Sequence, residues 1–365
     1  MKKITLIAGA RPNFMKIAPI IHAIEEAKQE GKDISYRLVH TGQHYDKKMS
    51  GSFFEQLEIP EPDVNLEAGG GSQAEQTAAI MTSFEKELQN NPADLVLVVG
   101  DVTSTMSCAI VAQKLHTKVA HVEGGIRSND WTMPEEINRL VTDSITNYFF
   151  TTSEIANENL RRSGVPEKSI FYVGNTMIDT LLKQRPRFRA PSAWKDLNLK
   201  EKNYIVMTLH RPANVDEESQ LKALLDEIVL HSGDLPLVFP VHPRTAKVLK
   251  ALNIEHPRLH MIEPLGYLEF NYLVANSKAV ITDSGGITEE TTVMGIPCMT
   301  LRDNTERPET ITEGTNELLG TDPKSIKPAM AKLFSGNWKT GGIPHLWDGK
   351  TATRIIDKIL TFNDL

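Results

Sequence analysis

The sequence predicts an α/β fold of two doubly wound, Rossmann-like domains that face each other across a cleft. Short apolar runs rich in Val, Ile, Leu and Phe alternate with amphipathic segments along the whole chain, which is typical of parallel sheets covered by helices on both faces. The chain has 365 residues, whereas one domain commonly has about 150. Residues 186–202 carry two prolines and interrupt both patterns, so we place the domain boundary there.

The apolar runs predict the strands of two sheets. In the first half they are ITLIAG, SYRLVHTG, DLVLVVGD, KVAHVEG, NYFFTTS and SIFYVG. In the second half they are YIVMTLH, PLVFPVH, RLHMIEP, AVITDS and IPCMTLR. Segment 73–91 has helical periodicity with Ser72 as its expected N-cap. Segment 133–145 predicts another helix, with an apolar face formed by Ile137, Leu140, Val141 and Ile145.

Composition narrows the class of protein. The net charge is −7 and no dense basic tract occurs, which argues against nucleic-acid binding. The two cysteines, Cys108 and Cys298, lie in apolar stretches, so we expect free thiols in a reducing cytoplasm. No run approaches the roughly 20 apolar residues of a membrane span, and we expect no membrane partner.

Charged residues accumulate where the predicted strands end. Because ligands of doubly wound sheets bind outside the carboxyl ends of the strands, these positions are candidates for binding and chemistry. Any one of them has an alternative role as a helix cap or a surface ion pair. They are Arg11, Lys16, His44, Asp101, Glu123, His210, Arg211 and His242.

The stretch TDSGGITEE (282–290) predicts an anion site. A strand ends at Asp283-Ser284, two glycines permit close backbone approach, and a helix begins near Gly286. Free N–H groups and the helix dipole there favour a phosphate. Glu289 and Glu290 then have two possible roles. They complement the helix dipole, or one of them accepts hydrogen bonds from a ribose diol.

Other cofactor sites are not expected. The first strand is followed by Gly9-Ala10-Arg11-Pro12 rather than GxGxxG, which argues against a nicotinamide dehydrogenase. The histidines lack HExxH or similar ligand spacing, so we expect no metal, and we assign His116 and His121 structural roles.

Ordered motifs carry a resemblance to a known family. GARPNFMKIAPI, HTGQH, GDVTST, HVEGGIRS, MPEEINR, TLHRPAN and TDSGGITEE…GIP…LRDNTERPE together resemble the non-hydrolysing UDP-N-acetylglucosamine 2-epimerases, in register from about residue 4 to residue 320. The resemblance implies a GT-B-like pair of domains with the active site in the cleft, a homodimer, and a final helix that returns to the first domain. The expected limits are 1–185 with helix 349–365 for the first domain, and 186–348 for the second, UDP-binding domain.

The resemblance also implies a reaction without a cofactor. UDP leaves C1 as the C2 hydrogen is removed, a 2-acetamidoglucal forms, and UDP adds back with a proton on the opposite face of C2. Such chemistry needs acid/base groups on both faces of C2 and stabilisation of the leaving diphosphate. The matching acid/base residues are Asp101, Glu123, Glu135 and His210. Glu136 is expected to turn away into a helix-start or salt-bridge role, and the glycines after Glu123 to leave room for a sugar ring.

Further residues match the family's ligand contacts. The UDP contacts are Arg11, Lys16, Ser284, Gly285, Gly286 and Glu290 at the diphosphate and ribose. Phe270 in GYLEF is a candidate for packing on uracil, with a core position as its alternative. Further phosphate or sugar contacts are Arg139, Arg211 and Arg307. A second UDP-GlcNAc, bound as an activator in many bacterial members, would contact Gln43, His44 and His242. Where a further glutamine is expected at that activator site, this chain has glycine near Gly71, with Gln73 two residues later.

Alternatives to this function remain open. The wording of HRPANVD and VHPRT resembles relatives that epimerise UDP-2,3-diacetamido-2,3-dideoxyglucuronic acid, whereas TERPE resembles the UDP-GlcNAc enzymes. A hydrolysing 2-epimerase would release free N-acetylmannosamine. A GT-B glycosyltransferase would share the UDP-binding domain without needing carboxylates around C2. A catalytically inactive UDP-sugar sensor would be expected to lack one of the four acid/base residues, all of which are present here.

Overall fold

A computed structural model describes residues 1–42, 54–241, 245–246, 248–249 and 256–365. The side chains of Arg11 and Pro212 are outside the description as well. Of the residues selected above, Gln43, His44 and His242 lie outside the described residues. The chain divides into two compact units, Met1–Thr180 together with His345–Leu365, and Leu181–Pro344.

The elements of the first unit alternate strand and helix. In chain order they are β1 (Lys2–Ala8), α1 (Arg11–Gln29), β2 (Ile34–His40), β3 (Val64–Asn65), α2 (Gln73–Asn90), β4 (Leu95–Val99), α3 (Thr103–Lys114), β5 (Lys118–Val122), α4 (Pro134–Ile145), β6 (Tyr148–Thr151), α5 (Glu154–Arg162), β7 (Ile170–Tyr172) and α6 (Thr176–Gln184), which runs across the division between the units. The strands form one parallel sheet in the order β3-β2-β1-β4-β5-β6-β7.

The second unit repeats the arrangement. Its elements are α7 (Ser192–Asp196), β8 (Ile205–Thr208), α8 (Pro212–Val215), α9 (Glu218–His231), β9 (Leu237–Pro240), β10 (Leu259–Ile262), α10 (Tyr267–Asn276), β11 (Ala279–Thr282), α11 (Gly285–Met294), β12 (Cys298–Thr300), α12 (Pro308–Thr312), β13 (Asn316–Leu318) and α13 (Ile326–Phe334). The parallel sheet has the order β10-β9-β8-β11-β12-β13. Helix α14 (Thr351–Leu360) then lies in the first unit.

Each sheet has one point where the strand order reverses. In the first unit it lies between β1 and β4, and in the second between β8 and β11. Crevices at such switch points are the usual ligand sites of open parallel sheets. The residues after β1 and β4 include Arg11 and Asp101, and those after β8 and β11 include His210 and Ser284. These four predicted site residues therefore lie at the switch point of their own sheet, and Glu123 follows the neighbouring strand β5.

Helix α14 is held in the first unit by polar and aromatic contacts. The buried carboxylate of Asp179 accepts hydrogen bonds from the backbone N–H groups of Thr351 (3.1 Å) and Ala352 (2.7 Å) at its start. Beyond its end, the ring of Phe362 stacks on Tyr148 with centroids 4.0 Å apart. These contacts satisfy the first backbone donors of the helix and bury its apolar end.

The α/β class and the predicted strands are confirmed, and β3 and β13 are added to them. Ser72 caps α2 by accepting a hydrogen bond from Glu75 N. The predicted apolar face of α4 is wrong at Ile137, which is exposed, whereas Leu140, Val141 and Ile145 are half-buried. The buried residues of α4 are Glu136, Asn138, Arg139, Thr142 and Asp143. Among the described residues, no helix combines the length and hydrophobicity needed to cross a membrane.

Candidate active site

The loop after β1 is fixed to β4 by Asn13, a residue that the sequence reasoning did not select. Its side-chain oxygen accepts hydrogen bonds from the N–H groups of Gly9 (3.1 Å) and Ala10 (2.9 Å). Its amide donates to the carbonyl of Val99 at 3.0 Å. This buried bridge sets the loop that contains Arg11 against the strand that leads to Asp101.

Glu123 lies buried at the end of β5 in a left-handed backbone conformation, with φ of 71°. Such a conformation is uncommon for a residue with a side chain and often marks a functional position. Its Oε2 is 2.8 Å from the ammonium nitrogen of Lys16. Lys16, expected to bind a diphosphate, therefore contacts a predicted acid/base residue in this structure.

Gly100 permits this pair to lie next to Asp101. Its φ is +71°, and a Cβ placed on it would stand 3.3 Å from Lys16 Nζ and 3.8 Å from Glu123 Oε2. Glycine is required here both by the backbone and by the approach of the ion pair. The carboxylate of Glu123 and the backbone that precedes Asp101 are thus neighbours at one edge of the sheet.

Helix α4 holds Asp101 through two side chains. The guanidinium of Arg139 donates to Asp101 Oδ2 and, at 2.7 Å, to Glu136 Oε2. Asn138 donates to the Asp101 carbonyl at 2.8 Å. Arg139, expected to contact phosphate or sugar, is a buried bridge between two carboxylates in this structure.

Glu136 is buried and hydrogen-bonded within the protein. It is 1% exposed, and its oxygens accept from Ser128 N (2.9 Å), Ser128 Oγ (3.1 Å), Asn129 N (3.0 Å) and Arg139. The expected salt-bridge role is present in the contact with Arg139. Burial alone would raise the pKa of Glu136, but the hydrogen bonds from Ser128, Arg139 and Asn129 outweigh it and lower that pKa.

Glu135 is the half-buried neighbour of Glu136 on α4. Successive residues of a helix point about 100° apart, so the two carboxylates serve different surroundings. Its acid/base role, carried over from the family motif, stays a prediction.

The glycines after Glu123 make room for the protein rather than for a sugar ring. A Cβ on Gly124 would stand 2.9 Å from the ring of Phe149, and one on Gly125 would stand 2.3 Å from the carbonyl oxygen of Ala156. The expected free space is therefore occupied by β6 and α5, and the glycines allow these elements to pack closely against the loop.

A buried cluster around Asp143 supports the same loop. Asp143 accepts from His121 Nδ1 (2.7 Å), Arg127 (2.6 Å) and Gly125 N (3.0 Å), and His121 Nε2 donates to the Gly100 carbonyl at 2.8 Å. The structural role expected for His121 agrees with these contacts. The contacts of His121 and Arg127 lower the pKa of Asp143, although burial opposes them.

In the second unit, the loop after β8 is anchored on Asp283, which follows β11. The buried Asp283 carboxylate accepts from the backbone N–H groups of His210 and Arg211, from Asn214, and from the His210 ring. The Arg211 side chain donates to the Asp283 carbonyl at 3.1 Å. Two predicted substrate residues are thus positioned by one carboxylate that was not among the predicted site residues.

The start of α11 has the features of an anion site. Ser284 is its N-cap residue and makes no side-chain capping hydrogen bond, and the first turn contains no acid. A Cβ on Gly286 would meet no other atom within 4 Å, and the Gly285 position lies 3.7 Å from the buried guanidinium of Arg302. Free N–H groups, the helix dipole and open space at the glycines favour a phosphate group here.

Glu289 and Glu290 lie beyond the first turn of α11, so the dipole-complementing role considered for them is wrong. Glu289 accepts from Arg307, which had been assigned a possible phosphate contact. Glu290 accepts from the Tyr267 hydroxyl at 2.7 Å. Burial raises the pKa of Glu290 to about 7, with the charge of Glu289 acting in the same direction and the Tyr267 hydrogen bond opposing it.

Two other ligand predictions have simpler outcomes. Phe270 lies on α10, partly buried against the apolar core of its unit, and its contact with uracil stays a prediction. Arg11 begins α1, and its side chain is not among those described.

In the part of the chain that the structure describes, no group of three or more potential ligands from His, Cys, Asp and Glu gathers as a metal site would require.

Comparison with known proteins identifies full-length relatives. A family model described as UDP-N-acetylglucosamine 2-epimerase matches residues 26–360. The chain is 40% identical to UDP-N-acetylglucosamine 2-epimerase of Methanocaldococcus jannaschii over 99% of each chain. It is also 40% identical to UDP-2,3-diacetamido-2,3-dideoxy-D-glucuronate 2-epimerase of Pseudomonas aeruginosa, over 97% of this chain and 98% of that one.

The fold of this chain also matches a solved structure over nearly its full length. The crystal structure of the M. jannaschii UDP-GlcNAc 2-epimerase in complex with UDP-GlcNAc and UDP has a TM-score of 0.87 and 39% identity to this chain, and the match covers 98% of this chain and 99% of that one.

We predict that Glu136→Gln lowers the free energy of unfolding by roughly 2–4 kcal/mol, because it leaves Arg139 without a buried charge partner and sets an amide against N–H donors. Glu135→Gln, at the half-buried neighbouring position, should change it by less than about 0.5 kcal/mol. Urea unfolding at neutral pH measures both.

The acid limb of the stability curve gives a second check on Glu136. Its pKa is lowered from 4.5 in the folded chain, so its contribution is present above that value and is lost as the pH falls through the lowered pKa. Glu136→Gln should flatten this limb. Equal destabilisation by both substitutions would contradict the structural assignment.

Proposed function

We propose that this chain, which belongs to the UDP-N-acetylglucosamine 2-epimerase family, interconverts UDP-N-acetylglucosamine and UDP-N-acetylmannosamine by reversible epimerisation at C2. The observation that carries the proposal is the pairing of carboxylates with cations at the switch point of the first sheet. Asp101 is bound to Arg139, and Glu123 to Lys16. Full-length similarity to epimerases supports the same reaction.

The proposed reaction breaks two bonds of the sugar, C2–H and C1–O, and then forms both again. A base takes the C2 proton, the electrons of that C–H bond form the C1=C2 double bond, and UDP leaves C1 with its bonding electrons. UDP then adds back to C1 while an acid delivers a proton to the other face of C2. Protein groups on both faces of C2 are needed, within hydrogen-bond reach.

We propose that the first unit supplies acid/base groups for this exchange. Asp101 and Glu123 follow the neighbouring strands β4 and β5. Their partners Arg139 and Lys16 offset the cost of placing acids in a partly buried site. Glu135 joins them on the strength of the family motif.

We propose that the second unit binds UDP and supplies His210. The start of α11, with Ser284, Gly285 and Gly286, would hold the diphosphate, and Glu290 would accept hydrogen bonds from the ribose. Arg302 is buried beside Gly285 but is paired with Glu306 there, so the N–H groups at the start of α11 would supply the main attraction for the diphosphate. Stabilising charge on the leaving group is a large part of catalysis in such a reaction.

A second candidate substrate is UDP-2,3-diacetamido-2,3-dideoxyglucuronic acid. It is favoured by the relative from P. aeruginosa, which is as similar to this chain as the M. jannaschii UDP-GlcNAc enzyme is. Epimerisation at C2 is the common chemistry. The two substrates differ at C3 and C6, so the same carboxylates would serve either.

We propose further that the chain acts as a homodimer, as its family resemblance implies. An apolar groove of about 550 Å³ between α2 and α4 supports this, and its lining includes Ala74, Ala78, Met81, Pro134 and Ile137. Ile137 is 45% exposed. A second copy packed on this face would bury the apolar side that α4 leaves towards solvent.

A second UDP-GlcNAc bound as an activator stays a prediction, and so does the cytoplasmic location.

Incubation with UDP-GlcNAc in D2O should place deuterium at C2 and form the manno epimer, as followed by ¹H NMR. Glu123→Gln and Asp101→Asn should each slow this exchange by roughly 10²–10⁴-fold, the usual contribution of an acid or base, while UDP still binds. Glu158→Gln on α5 is the surface control. Retention of C2–H without an epimer would reject UDP-GlcNAc and direct the same assay to the diacetamido-uronate. Free N-acetylmannosamine would indicate a hydrolysing enzyme.

The affinity for UDP should rise as the pH rises through about 7, because Glu290, with a pKa of about 7, then becomes an acceptor for both ribose hydroxyls. We expect a gain of about tenfold in calorimetric titrations between pH 6 and 8. Glu290→Gln is the matched control, since it retains the titration of UDP itself. Parallel pH profiles for the two proteins would contradict the ribose assignment.

Light scattering should find a dimer that Ile137→Glu converts to a monomer, because the charge would be buried in the interface. Ile155→Glu on α5 is the matched control, since Ile155 is 40% exposed and lies outside the groove. Dimers of unchanged stability in both variants would place the interface elsewhere.

A further inference from the structure

The carboxylate of Asp283 is surrounded by donors at the switch point of the second sheet. Oδ1 is 2.7 Å from His210 Nδ1. Oδ2 accepts from Arg211 N at 2.8 Å, His210 N at 3.0 Å and Asn214 Nδ2 at 3.1 Å. The side chain of Asp283 is wholly buried. A single carboxylate therefore holds both the backbone and the ring of His210.

We propose that Asp283 is a positioning residue that fixes the tautomer and the orientation of His210, so that His210 meets the substrate through Nε2. Asp283 acts through His210 and does not itself contact the sugar. The catalytic part of this inference rests on the proposed function, whereas the tautomer does not.

The donor set determines the tautomer. The surrounding hydrogen bonds hold Asp283 ionised against the effect of burial, so its oxygens only accept. Nδ1 of His210 must then carry a hydrogen. In a neutral imidazole with Nδ1–H, Nε2 has the free lone pair and can take a proton. A proton taken from the substrate would go onto Nε2, where the resulting imidazolium faces the Asp283 carboxylate. In the protonated state Nε2 can instead donate a proton to the substrate.

The exposure of the histidine side chain distinguishes this pair from the His121–Asp143 pair, the other histidine–aspartate pair among the described residues. The His210 side chain is 57% exposed, so its ring remains accessible to a ligand. The ring of His121 is buried with both nitrogens engaged, by Asp143 and by the Gly100 carbonyl. The same type of pair is therefore closed in the first unit and open in the second, as a positioning role for Asp283 requires.

The first experiment determines the tautomer in the unmodified protein. Long-range ¹H–¹⁵N correlation on ¹⁵N-histidine-labelled protein, with His210→Gln to assign the signals, should show Nδ1 protonated and Nε2 unprotonated when the His210 ring is neutral. Finding the hydrogen on Nε2 instead would overturn the proposal. This measurement needs neither turnover nor a variant of Asp283, so it stands even if the substrate assignment fails.

The second experiment is a double-substitution cycle on turnover. Asp283→Asn should lower kcat by roughly 10²–10⁴-fold with less effect on KM, the size expected when a general acid or base is lost. In a His210→Gln background, Asp283→Asn should cost less than about threefold more, because residues that act as a unit are not additive. Multiplicative losses would show that Asp283 acts independently of His210, and would overturn the proposal.

A third variant separates positioning from support of the loop. Asn214→Ala removes a donor to Asp283 and to the Leu301 carbonyl without touching the His210 ring. It should lower the melting temperature and retain the Nδ1–H tautomer. Loss of the tautomer in this variant would assign the ordering of His210 to the loop rather than to Asp283. An inactive wild-type protein with the Nδ1–H tautomer would reject the proposed function alone.

Discussion

Ionised carboxylates cost several kcal/mol to remove from water unless cations and N–H donors surround them, and this chain buries them at the edges of both sheets. In the first unit Arg139 joins Asp101 to Glu136, and Lys16 meets Glu123. In the second unit, the backbone N–H groups of His210 and Arg211 donate to Asp283 together with the side chains of His210 and Asn214. The conformation of the loops at each switch point follows from this requirement, because these loops must place hydrogen-bond donors next to the buried carboxylates.

Helix α4 is organised around the same requirement to pair buried charges. Its buried stripe is polar, with Glu136, Arg139 and Asp143 at helical spacing, and each of the three satisfies a partner at the sheet edge. The stripe displaces the apolar residues to the outer side, where Ile137 is exposed. A helix whose inner side is occupied by charged groups leaves apolar side chains such as Ile137 on its outer side.

Much of the fold was predictable from sequence, because buried parallel strands appear as continuous apolar runs. The Ser72 capping box likewise indicates where α2 begins. The positions of Asp101, Glu123 and Ser284 at strand ends followed from the same runs. Side-chain partners did not follow. Apolar periodicity placed Ile137 inside, because polar residues three and four apart ordinarily mark the solvent face of a helix. Gly124 and Gly125 read as space for a ligand, but space next to a glycine is decided by distant residues such as Phe149 and Ala156.

The return of α14 to the first unit affects the order of events during synthesis. Residues 1–180 leave the ribosome first. Two of their contacts form with residues synthesised later, since Asp179 binds the N–H groups of Thr351 and Ala352 and Tyr148 stacks on Phe362. Chains usually fold domain by domain as they emerge. Here the earlier unit can reach its final form only after the later unit has been made. A nascent first unit therefore holds a docking site open while the ribosome translates residues 181–344, and a chain arrested in that interval would expose it.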